Sequence, residues 1–193
     1  MYEASATVFG MRATDRRVVC VGRQRGSGWR EVCDTLIYMY PVVYDKRRLI
    51  LLGLHVGDAL TKAELENAVA ATLRMAADVR ERGKPSCVLI VVETNNTLDA
   101  YQRQRISEAS RTVEHAYQAM VTKSPIVRAV ATALAWLKPS TNHFHQSAHA
   151  TYEEARDWLV RHSKHPPEAF DALLAVARKQ VERANETSRQ TRP

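Results

Sequence analysis

From residue 35 onward, apolar and polar positions alternate between two rhythms. Residues 36–40 and 42–44 are dense in β-branched and aromatic side chains, and Pro41 between them marks a bent or edge strand. Asp45, Lys46 and Arg47 supply a polar turn, and residues 48–56 follow as a second strand, close enough to pair as an antiparallel hairpin. The period then switches. Thr61 and Glu64 stand at capping-box spacing, and Leu65, Ala68, Val69, Thr72, Ala76 and Val79 recur at helical intervals until Gly83 and Pro85. Residues 87–92 are a continuous apolar run, as in a strand covered on both faces.

The alternation continues beyond this strand. A polar loop at 93–97, which Asn96 or Thr97 can cap, leads into a helix with Tyr101, Ile106, Ala109 and Val113 on its inner face. Residues 117–122 read as a strand. Ser124 and Pro125 then open a helix burying Ile126, Val130, Ala133, Leu134 and Leu137, which Pro139 closes. A short strand at 142–147 precedes a second capping box, Thr151 with Glu154, and a helix that buries Tyr152, Ala155, Trp158 and Leu159. After Pro166 and Pro167 comes a last helix with Phe170, Leu173, Leu174, Ala177 and Val181 on one face.

Such alternation predicts an α/β fold: a mixed, mostly parallel central sheet of about five strands with crossover helices, plus an extra C-terminal helix. Three segments follow. Residues 1–34 are an Arg/Gly-rich arm, 35–163 the α/β domain, and 164–193 a C-terminal amphipathic helix and tail.

Composition narrows the class. The chain has 193 residues, 45% of them hydrophobic, enough for one core. No apolar run approaches a membrane span or a secretory leader. Cys20, Cys33 and Cys87 are odd in number and widely spaced, which reads as reduced thiols in a cytoplasmic protein. The formal charge of +7 is unevenly placed. Residues 1–30 hold six Arg against Glu3 and Asp15, and 161–193 hold seven Lys/Arg against four acidic residues, so the middle is neutral. That distribution argues against a nucleic-acid surface on the folded part.

Searches for chemistry return little. Gly22, Gly26 and Gly28 lack the spacing and the lysine of a phosphate loop. There is no G-x-S-x-G elbow and no cysteine in a catalytic context, and Glu64, Glu66, Glu153 and Glu154 read as solvated helix charge. No enzyme activity and no cofactor are therefore expected. His143, His145 and His149 form the one metal-like cluster, because 143 and 145 share a face of a strand. The loop Glu93, Thr94, Asn95, Asn96, Thr97 and Leu98 stands at the carboxyl end of the most apolar strand. In parallel sheets that edge meets ligands and partners, and helix N-terminal amides there favour an anion.

The strand pair, the helix, the 87–92 strand, the polar loop and then Gln118-Ala119-Met120-Val121 resemble the STAS-like family of the anti-sigma-factor-antagonist type. The stretch 151–159, with Glu153-Glu154-Ala155 and Trp158-Leu159, is similar to that group's closing motif. The resemblance covers residues 35–160. It implies a non-enzymatic regulatory module acting through a protein partner, with Thr94 or Thr97 as the hydroxyl that takes a phosphate. In place of the usual Asp-Ser/Thr-Ser and glycine stands Glu93-Thr94-Asn95-Asn96-Thr97-Leu98. The alternative function is a carrier of a small apolar ligand or lipid in a pocket between sheet and helices.

Overall fold

The computed structural model describes residues 40–57, 60–94, 98–137 and 143–190; the 1–34 arm lies outside them. Strands β1 (Val42–Asp45) and β2 (Ile50–His55) pair antiparallel, with Val42 opposite Gly53 and Asp45 opposite Ile50. The second strand starts two residues later than the sequence pattern suggests. The Asp45 carboxylate captures the amides of Arg47 and Arg48 at 2.9 and 3.1 Å, and Leu49 turns left-handed at φ 56° to leave the turn.

Strands β3 (Ser86–Val92), β4 (Ala116–Thr122) and β5 (Phe144–His149) then add in parallel, giving the order β1-β2-β3-β4-β5. Helices α1 (Lys62–Arg82), α2 (Ala100–Arg111) and α3 (Pro125–Leu137) make the crossovers. Each crossover steps one strand in the same direction, so right-handed connections stack all three on one face. The other face is closed by α4 (Tyr152–Ser163) and α5 (Pro167–Gln190). The expected α/β fold, a mixed and mostly parallel five-stranded sheet with a further C-terminal helix, is the one found.

Alternation along the strands divides the core in two. Leu52, Leu54, Leu89, Val91 and Val121 point toward α4 and α5 and meet Ala155, Leu159, Phe170 and Leu173. Leu51, Val88 and Ala116 point the other way, onto Ala71, Met75 and Val79 of α1. The C-terminal helix is thus part of the domain's core. Tyr152 adds to this by donating its hydroxyl to Asp171 at 2.8 Å, which ties α4 to α5. Among the described residues no helix is long and apolar enough to cross a membrane.

Local signals hold where they are covalently close. Thr61 and Glu64 form the expected capping box, and Gly83 ends α1 in the left-handed region at φ 60°. At α2 the cap is Asp99, boxed with Gln102; Asn96 and Thr97 lie outside the described residues.

Four helical expectations are corrected. Tyr101 is 52% exposed, Ile126 75% and Val130 53%, although the spacing of all three predicts inner faces. Ala133 is exposed as well, while the side chains of Leu134 and Leu137 are outside the described residues. For the α3 residues the reason is position. Helix α3 rides over the edge strand β5 and only grazes β4, and its Ile126, Val130 and Ala133 stay uncovered there.

Candidate functional site at the carboxyl edge

All four parallel strands end at one rim, where α1, α2, α3 and α4 begin. The loop singled out in the sequence leaves this rim at β3. Its first residues are held on two sides. The Glu93 amide donates to the His55 carbonyl at 2.9 Å, and the Glu93 carboxylate accepts from Arg178 of α5 at 2.8 Å. Thr94 is half-buried; Asn95, Asn96 and Thr97 are outside the described residues. Leu98 returns to the surface of a small apolar cluster made by Leu60, Leu65, Val69 and Ala109 with Tyr40 and Ile106. Val181 of α5 packs at the rim of the main core, and the helix continues from Glu182 to Gln190, about 13 Å more at 1.5 Å per residue.

Beneath the loop stands His55, only 6% exposed, its ring nearly perpendicular to that of Tyr40 at 5.5 Å between centroids. Its Nε2 is buried without a hydrogen-bond partner. Burial lowers the imidazole pKa, an effect Glu64 opposes in part, so the ring is neutral at neutral pH. Burial also pushes the Tyr40 phenol up to about 12. Glu64 is 1% exposed, and the expectation of solvated helix charge fails there. Its carboxylate accepts from the Tyr40 amide at 3.0 Å and from the Thr61 amide and hydroxyl at 2.8 and 2.7 Å. One side chain therefore caps α1 and anchors the chain entering β1.

This arrangement offers a neutral hydrogen-bonding nitrogen in an apolar setting. Cys87, the described cysteine, sits at the opposite end of β3, where burial raises its thiol to about 11 and keeps it protonated at neutral pH.

Of the three histidines expected as metal ligands, His145 and His149 lie on β5 and His143 stands just before it. His143, left-handed at φ 48°, stacks on His115 at 4.8 Å. His145 stacks on Tyr117 at 5.3 Å. His149 shares that face four residues on, about 13 Å away along a strand, and stands 6.0 Å from the Trp158 ring. Each of the three rings stands against a different aromatic partner, His115, Tyr117 or Trp158. Among the described residues no group of three His, Cys, Asp or Glu stands close enough to hold a metal.

What the histidines build instead is an aromatic cluster over β4 and β5, joined by His162 of α4. That ring lies 4.3 Å from Trp158 and 5.2 Å from Tyr117, and its Nδ1 donates to the Trp158 carbonyl at 2.7 Å. Periodicity carries no signal for this group, because Tyr117, His145, Trp158 and His162 come from three elements. His149 Nε2 is buried and unpartnered, and burial lowers its pKa, with Glu154 opposing and Arg161 reinforcing.

Sheet topology places one further feature at the rim. The connections after β2, β3 and β4 turn to the α1 face, but the connection after β5 turns to the α4 face. Adjacent strands whose connections part in this way open a crevice. Here it lies between β4 and β5, not at β3 where the sequence points. Thr122, 4% exposed, borders it and accepts from the Ser124 amide at 3.3 Å, while the Arg128 guanidinium donates to the Thr122 carbonyl at 2.7 Å. Comparison of the chain with protein-family models, with curated proteins and with solved structures finds no match in any of the three.

Proposed function

We propose that the chain is a STAS-like, non-enzymatic regulatory module of the cytoplasm that works by binding a protein partner at its carboxyl rim. The contact surface is the 93–98 loop with α2 and the end of α5. The observation that supports this most is the Glu93–Arg178 bond, which brings a helix from the far end of the chain to the loop. Loop and helix thereby present one surface. Within it Thr94, with Thr97 beside it in sequence, is the candidate phosphoacceptor. A phosphate on Thr94 would repel Glu93 and compete for Arg178, and so would change both sides of the surface together.

The test is retention of proteins from native extract on immobilised full-length chain, comparing wild type with a Thr94→Ala/Thr97→Ala/Leu98→Ala variant. A partner held by wild type and lost by the variant, with unchanged circular dichroism, supports the proposal. Identical retained proteins from both would refute it.

A second reading, carriage of a small apolar ligand, draws on His55. Its unpartnered Nε2 beside the apolar cluster between sheet and helices would bond one polar group of such a ligand. Organic extraction of purified protein followed by mass spectrometry tests it. A stoichiometric molecule from wild type, absent from His55→Phe, is the expected result, and an empty extract from wild type removes the reading.

A further inference from the structure

We infer that residues 18–21 of the N-terminal arm add to the outer edge of β5 as a sixth strand, beneath the overhanging side of α3. The fold leaves a place for a strand there. β5 has no proline, lysine or carboxylate in it, and among the described residues nothing pairs with its outer side. Helix α3 packs on β5 and only grazes β4. A helix is about 10 Å across and strands lie about 4.8 Å apart. Seated on an edge strand, a helix therefore reaches over the position of the next one.

The exposed apolar residues of α3 lie on that side. The Arg128 guanidinium donates to the Thr122 carbonyl at the end of β4, so this flank of the helix faces back along the sheet. Ile126 and Val130 stand two residues before and two residues after Arg128, about 160° round the helix at about 100° per residue. Both thus belong to the flank away from β4, where they are 75% and 53% exposed. A lone strand fills this space without bringing a second helix against α3.

Chain length selects the segment. Residues 1–39 lie outside the described residues, and Tyr40 enters β1 at the far edge of the sheet. From β1 to β5 is four strand spacings, about 19 Å. Residues 36–39 are apolar, but four residues directly before Tyr40 extend at most about 14 Å. The stretch 8–11 is broken by Gly10. Val18, Val19, Cys20 and Val21 are the remaining apolar run, and valine favours strands. The linker of residues 22–39 has a root-mean-square span of about 23 Å, which matches the distance. A strand tethered in this way needs only a small contact area, because the linker holds it at high effective concentration.

Charge agrees at both ends. Arg16 and Arg17 precede the run, and Arg23 and Arg25 follow it. Just past β5, the Glu154 carboxylate accepts from the Ala150 amide at 3.1 Å. At the start of β5, Phe144 pairs with Ala116, two residues from the exposed Glu114, which Arg80 approaches at 3.6 Å. Either strand direction brings arginines beside a carboxylate at each end.

Hydrogen exchange of the full chain tests the inference, comparing wild type with Val19→Pro, which removes a strand donor and leaves residues 40–190 untouched. The β5 amides not bonded to β4 should exchange roughly tenfold faster in the variant, with β3 unchanged. Equal exchange in the two proteins overturns the inference and leaves the edge to a different partner. The native Cys20 thiol supplies the second measurement. In a Cys33→Ser background, cysteine is placed at each β5 position in turn and the protein is mildly oxidised. Cross-linking within one chain should peak at one position and fall at its neighbours, since adjacent strand residues face opposite sides. Cross-linking at no β5 position, or equally at all of them, overturns the strand pairing. Disulfide-linked dimers in place of the internal cross-link overturn docking within one chain.

Discussion

A β-carbon on Gly53 would stand 2.7 Å from the hydroxyl oxygen of Tyr40. Gly53 lies in the middle of β2, where glycine ordinarily weakens a strand, and its missing side chain is the space the Tyr40 ring occupies. Gly53→Ala should therefore cost about 1–3 kcal/mol through overpacking. The cost should shrink in a Tyr40→Phe background, where the clashing atom is gone. Urea unfolding of the two single variants and the double variant measures the coupling.

Glu64 holds that same segment from the other side. Glu64→Ala removes the acceptor of the Tyr40 amide and of two Thr61 donors, and should destabilise by about 2–3 kcal/mol, more than the roughly 1 kcal/mol of an ordinary cap. Glu66→Ala, two residues along at a half-exposed site, serves as the comparison and should change stability by less than about 0.5 kcal/mol. Equal urea midpoints for the two variants would contradict the anchoring role.

His55 and His149 should make stability fall in mild acid. Burial is the leading cause of the lowered pKa at both, so each folded-state value lies below the ordinary histidine value. The unfolded chain then binds more protons than the folded one between the two values. Their contribution is complete above about pH 6.5 and is lost as pH falls through the folded-state values. The urea midpoint of wild type should drop from pH 7.5 to pH 5.5, and by less in His55→Phe. A parallel drop in both proteins would remove His55 as a source.

A separate acid limb belongs to Asp78. Burial alone would raise its pKa, but hydrogen bonds from Tyr44 and Lys46, with the charges of Lys46 and Arg82, outweigh burial and hold it below the usual carboxylate range. The sign is the one for a depressed carboxylate: stability is present above about pH 4 and is lost as pH falls through the folded-state value. Asp78→Asn should cost about 1–3 kcal/mol at pH 7 and flatten the slope below pH 4, both read from unfolding at a series of pH values.

The C-terminal helix should behave as core. Phe170, fully buried against the sheet, should cost about 3–5 kcal/mol when cut to alanine. Wild-type-like unfolding of Phe170→Ala would mean that α5 is not part of the folded domain.

Legibility divides by range. The capping box at Thr61, the stop at Gly83, the hairpin and the buried β3 strand are all readable, because each depends on neighbours within a few residues or on a simple period. The inward face of α3 is not, because Ile126 and Val130 carry the apolar spacing of a buried stripe. Only their place over an edge strand leaves them uncovered. Glu64 escapes a sequence reading for the matching reason, since nothing near it in sequence announces that the Tyr40 amide will come to its carboxylate from 24 residues away.

The candidate site follows the same division. The 93–98 loop can be located as the connection after the most apolar strand, and the parallel sheet does end there. The Arg178 link, the orphaned nitrogen on His55 and the crevice between β4 and β5 are not accessible to spacing. By itself the sequence determined the elements, their order and the α/β class, since periodicity and capping act through local sterics and hydrogen bonds. Tertiary structure alone decided which apolar faces are covered and which polar atoms are left without partners. Burial depends on every element packed nearby, and those meet only when the sheet is assembled.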